Sequence, residues 1–290
     1  MSNTALYVLT VLIWGSTWLA IEFQLGVVQP EVSIVYRFLL ASGLLLIWCK
    51  YRGLSLIFKA KYHLWFAFLG LLLFCLNYIM TYHAQVHITS ALAAIVFSTM
   101  LWMNILLARL VFGIRATGKV VAGSVLGIAG IVVLFAPQVE ALTLTDTTLF
   151  GCVLAFAGAA SASAGNIVSQ AAQKRMLPVV QTNTWSMFYG ALITGVAALV
   201  QGHELNFDAT FTYIASLAYL ALFGSVVAFG AYLTLIGRVG AHRAGYAMVM
   251  FPVVALALSM AFEGLALSPA IAVGTSLVLL GNLLVLNRDA

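Results

Sequence analysis

The chain has 290 residues, 63% of them hydrophobic and only 7% charged, with a net charge of +5 and a mean hydropathy of +1.09. Soluble domains carry about a quarter charged residues, so this supply excludes a water-covered surface and points to lipid as the solvent. Backbone groups in lipid are satisfied only within helices or closed barrels, and apolar runs of about 20 residues without alternating polarity select helices.

Breaks at charges, prolines and polar clusters divide the chain into about ten apolar segments, near 4–22, 31–49, 63–84, 89–111, 118–137, 148–172, 179–200, 211–236, 241–262 and 269–287. The first holds Trp14 and Trp18 and ends at Glu22. It lacks the basic leader and small-residue cleavage site of a signal peptide, so it is expected to be a retained helix. Only His83-Ala84-Gln85-Val86-His87 separates the third and fourth segments. A single helix over 63–111 would nevertheless be roughly 70 Å long, over twice the hydrocarbon core. The loops are short and leave no room for a soluble domain. Cys49, Cys75 and Cys152 lie in or beside apolar runs without CxxC spacing or histidine partners, so neither disulfide nor metal site is expected.

Charge tests the count. Lys50, Arg52, Lys59 and Lys61 follow the second segment; Arg109, Arg115 and Lys119 follow the fourth. Lys174 and Arg175 follow the sixth, Arg238 and Arg243 the eighth, and Arg288 the tenth. All basic residues except Arg37 thus fall on one side of a ten-span chain. The other side carries Glu22, Glu31, Glu140, Asp146, Glu204, Asp208 and Glu263. The positive-inside rule then puts both termini in the cytoplasm. The positive charge reflects orientation, and no nucleic-acid partner is implied.

A weak repeat runs through the chain. A shift of 154 carries Gly70, Tyr78, Ala93 and Phe97 onto Gly224, Tyr232, Ala247 and Phe251; shifts of 151 and 147 carry Gly123 and Gly130 onto Gly274 and Gly281, and Gly43 onto Gly190. The expected fold is an all-α membrane protein of about ten helices in two five-helix repeats, residues 1–139 and 140–290. Five is odd, so the repeats are inverted, a recurring construction of secondary transporters.

These residues resemble the drug/metabolite transporter superfamily, in particular its EamA-domain family, over essentially the whole length. The resemblance rests on Trp14-Gly15-Ser16-Thr17-Trp18, on Arg37-Phe38, on Arg238-Val239-Gly240-Ala241-His242-Arg243-Ala244 and on Phe251-Pro252-Val253-Val254. Within the family the chain is most similar to the YddG-type exporters of aromatic and other neutral amino acids. Two positions depart from the pattern. Ser98 stands where a counterpart of Pro252 would be, and Ser161 where the sixth span often repeats the tryptophan of the first.

The resemblance implies a central cavity formed by spans one, three, four, six, eight and nine, with five and ten packed behind. Helical spacing independently puts Tyr78, Thr81, Tyr82 and Gln85 on one face of the third span. Ser98 and Trp102 lie one turn apart in the fourth. Ser163, Asn166, Gln170 and Gln173 form a stripe on the sixth, and Thr10, Trp14 and Thr17 one on the first. Tyr232 and Tyr246 complete the pathway candidates. The competing reading is packing: hydroxyls and amides inside spans often bond only neighbouring helices, and Trp48, Tyr51, Tyr62 and Trp65 suit the interfacial belt. Arg37 is the one basic residue within a span and needs a partner. Snorkelling toward the acidic side or pairing with Glu31 or Glu22 is the first expectation and contact with a substrate carboxylate the second. His83 and His87 are expected to pack in a connection. Gly123, Gly127 and Gly130, echoed by Gly274 and Gly281, make faces for scaffold or homodimer contacts.

Missing charges narrow the substrate. Sugar-phosphate carriers need buried Lys or Arg, and proton-coupled export of lipophilic cations needs a carboxylate near mid-membrane; both are lacking apart from Arg37. Neutral or zwitterionic solutes remain. The leading expectation is amino-acid export across a bacterial inner membrane by alternating access, with broad-specificity drug or metabolite efflux as the alternative. No HExxH or paired intramembrane aspartates suggest an enzyme, and no cofactor is implied.

Overall fold

The computed structural model of the protein describes residues 1–140, 145–262 and 268–286; Glu263 and Arg288, used above to orient the chain, lie outside them. Among the described residues there are ten helical spans. They are α1 (Asn3–Glu22), α2 (Pro30–Tyr51), α3 (Ala60–His87), α4 (two segments, Ser90–Phe97 and Met100–Phe112) and α5 (Gly118–Glu140). The second set is α6 (Asp146–Lys174), α7 (Val179–Val200), α8 (Phe211–Val239), α9 (Ala247–Phe262) and α10 (Pro269–Leu286). A short helical turn, Ala241–Ala244, precedes α9.

Local chemistry sets the ends. Ser2, Thr89, Thr145 and Thr210 each accept a hydrogen bond from a backbone N–H three residues on, satisfying donors that a helix start leaves open. Pro30 opens α2, where its missing N–H costs nothing. Gly113 closes α4 in the left-handed conformation at φ 68°. The third helix runs through His87, further than its apolar stretch suggests, so His83 is a helical residue and not part of a connection.

The packing pairs the two halves crosswise. α1 lies against α8 and α9, while α6 lies against α3 and α4; α2 packs on α7, and α5 on α10. Each half's first helix is therefore seated on the third and fourth of the other. A Cβ on Gly130 would stand 2.6 Å from the carbonyl oxygen of Gly274, and one on Gly123 2.6 Å from that of Gly281. The glycine faces of α5 and α10 thus meet each other within the chain, which is their scaffold use.

α3 and α8 share an irregularity. Each contains a π-helical stretch, Gly70–Leu76 and Leu220–Val227, which includes the matched glycines Gly70 and Gly224. Such stretches disturb the regular i→i−4 ladder and turn backbone carbonyls toward other partners. α4 is interrupted at Ser98-Thr99, whose hydroxyls donate to Ile95 O and Val96 O at 2.6 Å each. Back-bonding of this kind bends helices. It occupies the place that Pro252 takes inside α9.

Candidate functional site

A central cavity lies among α1, α3, α4, α6, α8 and α9, with about 530 Å³ of space including its mouth. Trp14, Thr17, Tyr78, Thr81, Asn166 and Tyr232 are on its wall. So are Trp18, Asn77, Phe97, Met100, Phe229, Met248 and Phe251, which helical spacing did not select. Among the described residues no charged side chain is on the wall.

Trp14 organises the aromatic part. Its ring meets Phe229, Tyr232 and Phe251 edge-on at centroid distances of 4.7, 5.0 and 5.7 Å. Its Nε1 donates to Gly224 O at 2.9 Å, a carbonyl of the π-helical stretch in α8. A bulky indole can sit here because the neighbouring Gly15 lets α1 approach α9: a Cβ on Gly15 would meet Val254. On the opposite side Ser161 of α6 donates to Leu72 O at 2.8 Å, within the π-helical stretch of α3. The position where the family often has tryptophan therefore keeps a hydrogen-bond donor and loses the ring.

Arg37 is 1% exposed and stands behind Tyr78. Its Nε donates to Ser225 Oγ at 2.9 Å and its Nη2 to Tyr78 OH at 3.3 Å, with the guanidinium carbon 4.5 Å from the Tyr78 ring centroid. Ser225 Oγ in turn donates to Leu220 O at 2.9 Å. Nη1 and the buried hydroxyl of Tyr82 form no hydrogen bond of ordinary geometry, although Tyr82 lies close enough to Arg37 to interact with it. The expected pairing with a glutamate is not made. Glu22 is exposed, and Glu31 is 2% exposed but held by His83 Nε2 at 2.6 Å and His203 Nδ1 at 3.5 Å. His83, expected to pack passively, instead ties the last turns of α3 to the first turn of α2. His87 packs on Phe150 at 5.3 Å.

Toward the basic end the bundle is cross-linked by neutral polar groups. Asn104 Oδ1 accepts from Ser163 Oγ at 2.8 Å and from Asn166 Nδ2 at 3.3 Å, and Asn166 Nδ2 also donates to Tyr232 OH at 3.2 Å. Gln170 Oε1 accepts from Ala241 N at 3.0 Å, and Gln173 Nε2 donates to Leu233 O at 2.8 Å. These bonds join α4, α6, α8 and the turn before α9. Ser163 is thus a cross-link below the cavity and not a wall residue.

Four other candidates also lie off the wall. Tyr246 fills the α5–α10 seam, donating to Gly123 O and Val278 O at 3.2 and 3.1 Å, where Gly127 and Gly281 leave it room. Tyr82 points toward Arg37. Ser98 belongs to the break in α4, and Trp102 is half-buried outside the wall. No group of three or more potential metal ligands occurs among the described residues.

A ten-helix bundle of two crosswise five-helix sets around one cavity has the architecture of a secondary transporter. The chain belongs to the EamA-like transporter family, whose profile matches residues 2–136 and again 149–287. It is accordingly a multi-pass membrane transporter of the drug/metabolite class and not an enzyme. It is 30% identical over 266 residues to the "Uncharacterized inner membrane transporter YedA" of Escherichia coli (strain K12), covering 91% of this chain and 82% of that protein. It is 28% identical over 263 residues to a "Probable amino-acid metabolite efflux pump" of the same strain, covering 87% and 84%. A solved crystal structure superposes with a TM-score of 0.80 at 20% identity, over 98% of this chain and 96% of that one, a likeness of fold.

Proposed function

We propose that this transporter exports amino acids, aromatic and other neutral ones, across a bacterial inner membrane by alternating access, with both termini cytoplasmic. The observation that carries the reading is the buried guanidinium of Arg37, unpaired with any carboxylate among the described residues and linked through Tyr78 to the cavity wall. A buried cation lacking a counter-charge is costly, and a zwitterion's carboxylate bound at the Tyr78 hydroxyl, one hydrogen bond from Arg37, supplies that charge while its ammonium faces hydroxyls and amides. The aromatic wall around Trp14 suits an aromatic or apolar side chain. The name of the E. coli efflux pump supports the same class of solute. With the basic end cytoplasmic, the cross-links of Asn104, Asn166 and Tyr232 close the inner side, and transport requires them to part.

Purified protein in liposomes tests this by counterflow of labelled tryptophan and threonine. Both should exchange faster than in empty vesicles. Arg37→Gln should lower exchange about tenfold or more, as expected for a charge-assisted bond worth roughly 1.5–3 kcal/mol. Exchange of uncharged toxins with no exchange of amino acids would instead establish broad drug efflux and overturn the reading.

A further inference from the structure

The outer surface of the bundle carries a second built feature, away from the cavity. Near the basic end, α3 and α4 splay over α6 and leave a groove lined by Leu64, Trp65, Phe68, Val111, Val168 and Ala171. Its lips are strongly exposed: Leu64 is 75%, Phe68 51% and Val111 56% accessible. In a bilayer these lips face acyl chains, and the groove has almost no polar lining.

Its mouth is different. Lys174 and Arg175 end α6, the helix that floors the groove. They are drawn to opposite walls. The Arg175 guanidinium carbon lies 4.4 Å from the ring centroid of Trp65 on α3, and the Lys174 Nζ lies 4.0 Å from that of Phe112 on α4. Cation–π seating fixes both charges at the rim while leaving ammonium and guanidinium donors to face outward; Arg175 uses only Nη1, toward Ala171 O at 3.2 Å. Among the described residues no carboxylate pairs with either cation. The connections at this end contain Lys50, Arg52, Lys59, Lys61, Arg115 and Lys119 and no Asp or Glu. An anion arriving at these connections meets several cations and no connection carboxylate.

We propose that this groove binds an anionic phospholipid, with its phosphate between Lys174 and Arg175 and one acyl chain laid along Trp65, Phe68 and Val168. Charge at the mouth and apolar length behind it match the two parts of such a lipid and of no soluble anion. Basic pockets between helices are recognised sites for anionic headgroups. The inference is independent of the substrate and of which leaflet the basic end meets.

The test is native mass spectrometry of the full chain released from nanodiscs of equimolar phosphatidylglycerol and phosphatidylcholine with identical chains. Wild type should retain phosphatidylglycerol preferentially, by about fivefold for each of the two cations. The double variant K174Q/R175Q should lose that preference. Ala171→Phe, which fills the groove and keeps both cations, should lose it too. Because a half-buried position can fail to fold when enlarged, the double variant L64A/F68A, at exposed lips, provides a second way to dismantle the apolar wall. Excess inorganic phosphate should displace nothing. Equal retention of the two lipids by wild type, preference surviving K174Q/R175Q, preference surviving in every folded groove variant, or displacement by free phosphate would each overturn the proposal.

Discussion

The two π-helical stretches, one in each half, have been put to different uses. In α3 the stretch around Gly70 is packed backbone to backbone: a Cβ there would meet Ser186 O and stand 2.9 Å from Gly190 N on α7. Ser161 caps it with a single small donor. In α8 the equivalent place around Gly224 faces side chains instead, Thr17 Cγ2 and Arg37 Nη2, with Trp14 capping the carbonyl. Two matched irregularities thus support opposite roles. One fastens helices together; the other holds a charge and a large ring beside the cavity. Pseudo-symmetry supplies the framework, and substitution at a few positions makes the two sides unequal.

The largest expected effect contrasts the two glycines. Gly70→Ala forces a methyl into a neighbouring backbone that cannot move aside, and should lower stability by about 3 kcal/mol, the upper end for overpacking. Gly224→Ala meets only the ends of side chains, and gains about 0.5–1 kcal/mol from lost backbone freedom; its net cost should stay below about 1 kcal/mol. Thermal unfolding of the two variants in detergent decides this, and equal losses would erase the distinction.

The next effect concerns the two caps. Trp14→Phe keeps an aromatic ring but leaves Gly224 O without its donor, at a cost of about 1–3 kcal/mol for a buried unsatisfied group. Because the ring lines the cavity, exchange of labelled tryptophan should fall with it. Ser161→Ala removes the equivalent donor on the other side at about 1 kcal/mol and should leave exchange close to wild type. If Ser161→Ala impairs exchange as much as Trp14→Phe in the counterflow assay, the cavity is functionally symmetric after all.

The spans and the two-repeat construction were legible because they depend on quantities that add along the chain, run length and glycine spacing, whereas the crosswise packing of the two sets was not. Trp14, Tyr78, Asn166 and Tyr232 were legible as polar or aromatic residues at mid-span. Tyr246 and Ser163 have the same character and were misplaced, because helices apolar on every side give periodicity no face to choose. Which face turns inward is decided by packing, as when Gly127 and Gly281 open a slot for Tyr246. The partners of Arg37 were hidden for a related reason. Linear distance favours Glu31, only six residues away, yet the turn of α2 carries Arg37 toward Ser225 and Tyr78, and His83 from the last turns of α3 takes Glu31 instead. Nothing in the stretches 70–76 and 220–227 marks a π-helix, since glycine and apolar residues suit a regular helix equally.

The smallest effect separates two histidines that precede the fourth helix of each half, His87 at the end of α3 and His242 in the turn before α9. His87, before α4, lies exposed against Phe150, so His87→Asn should change stability by no more than about 0.5 kcal/mol, as for ordinary surface substitutions. His242, in the turn before α9, is held below the usual histidine range by burial and then by the neighbouring charge of Arg243. Above a pH of about 6.5 it is neutral in folded and unfolded chains alike and contributes no slope. As the pH falls below that value the unfolded chain takes up the proton first, so the folded state loses stability until its own depressed value is passed. His242→Asn keeps a polar group of similar size without the titration, and should make the melting temperature fall less steeply between neutral and acid pH than in wild type. Parallel curves for the two proteins would mean that the turn before α9 opens to water, and that the two histidines are alike.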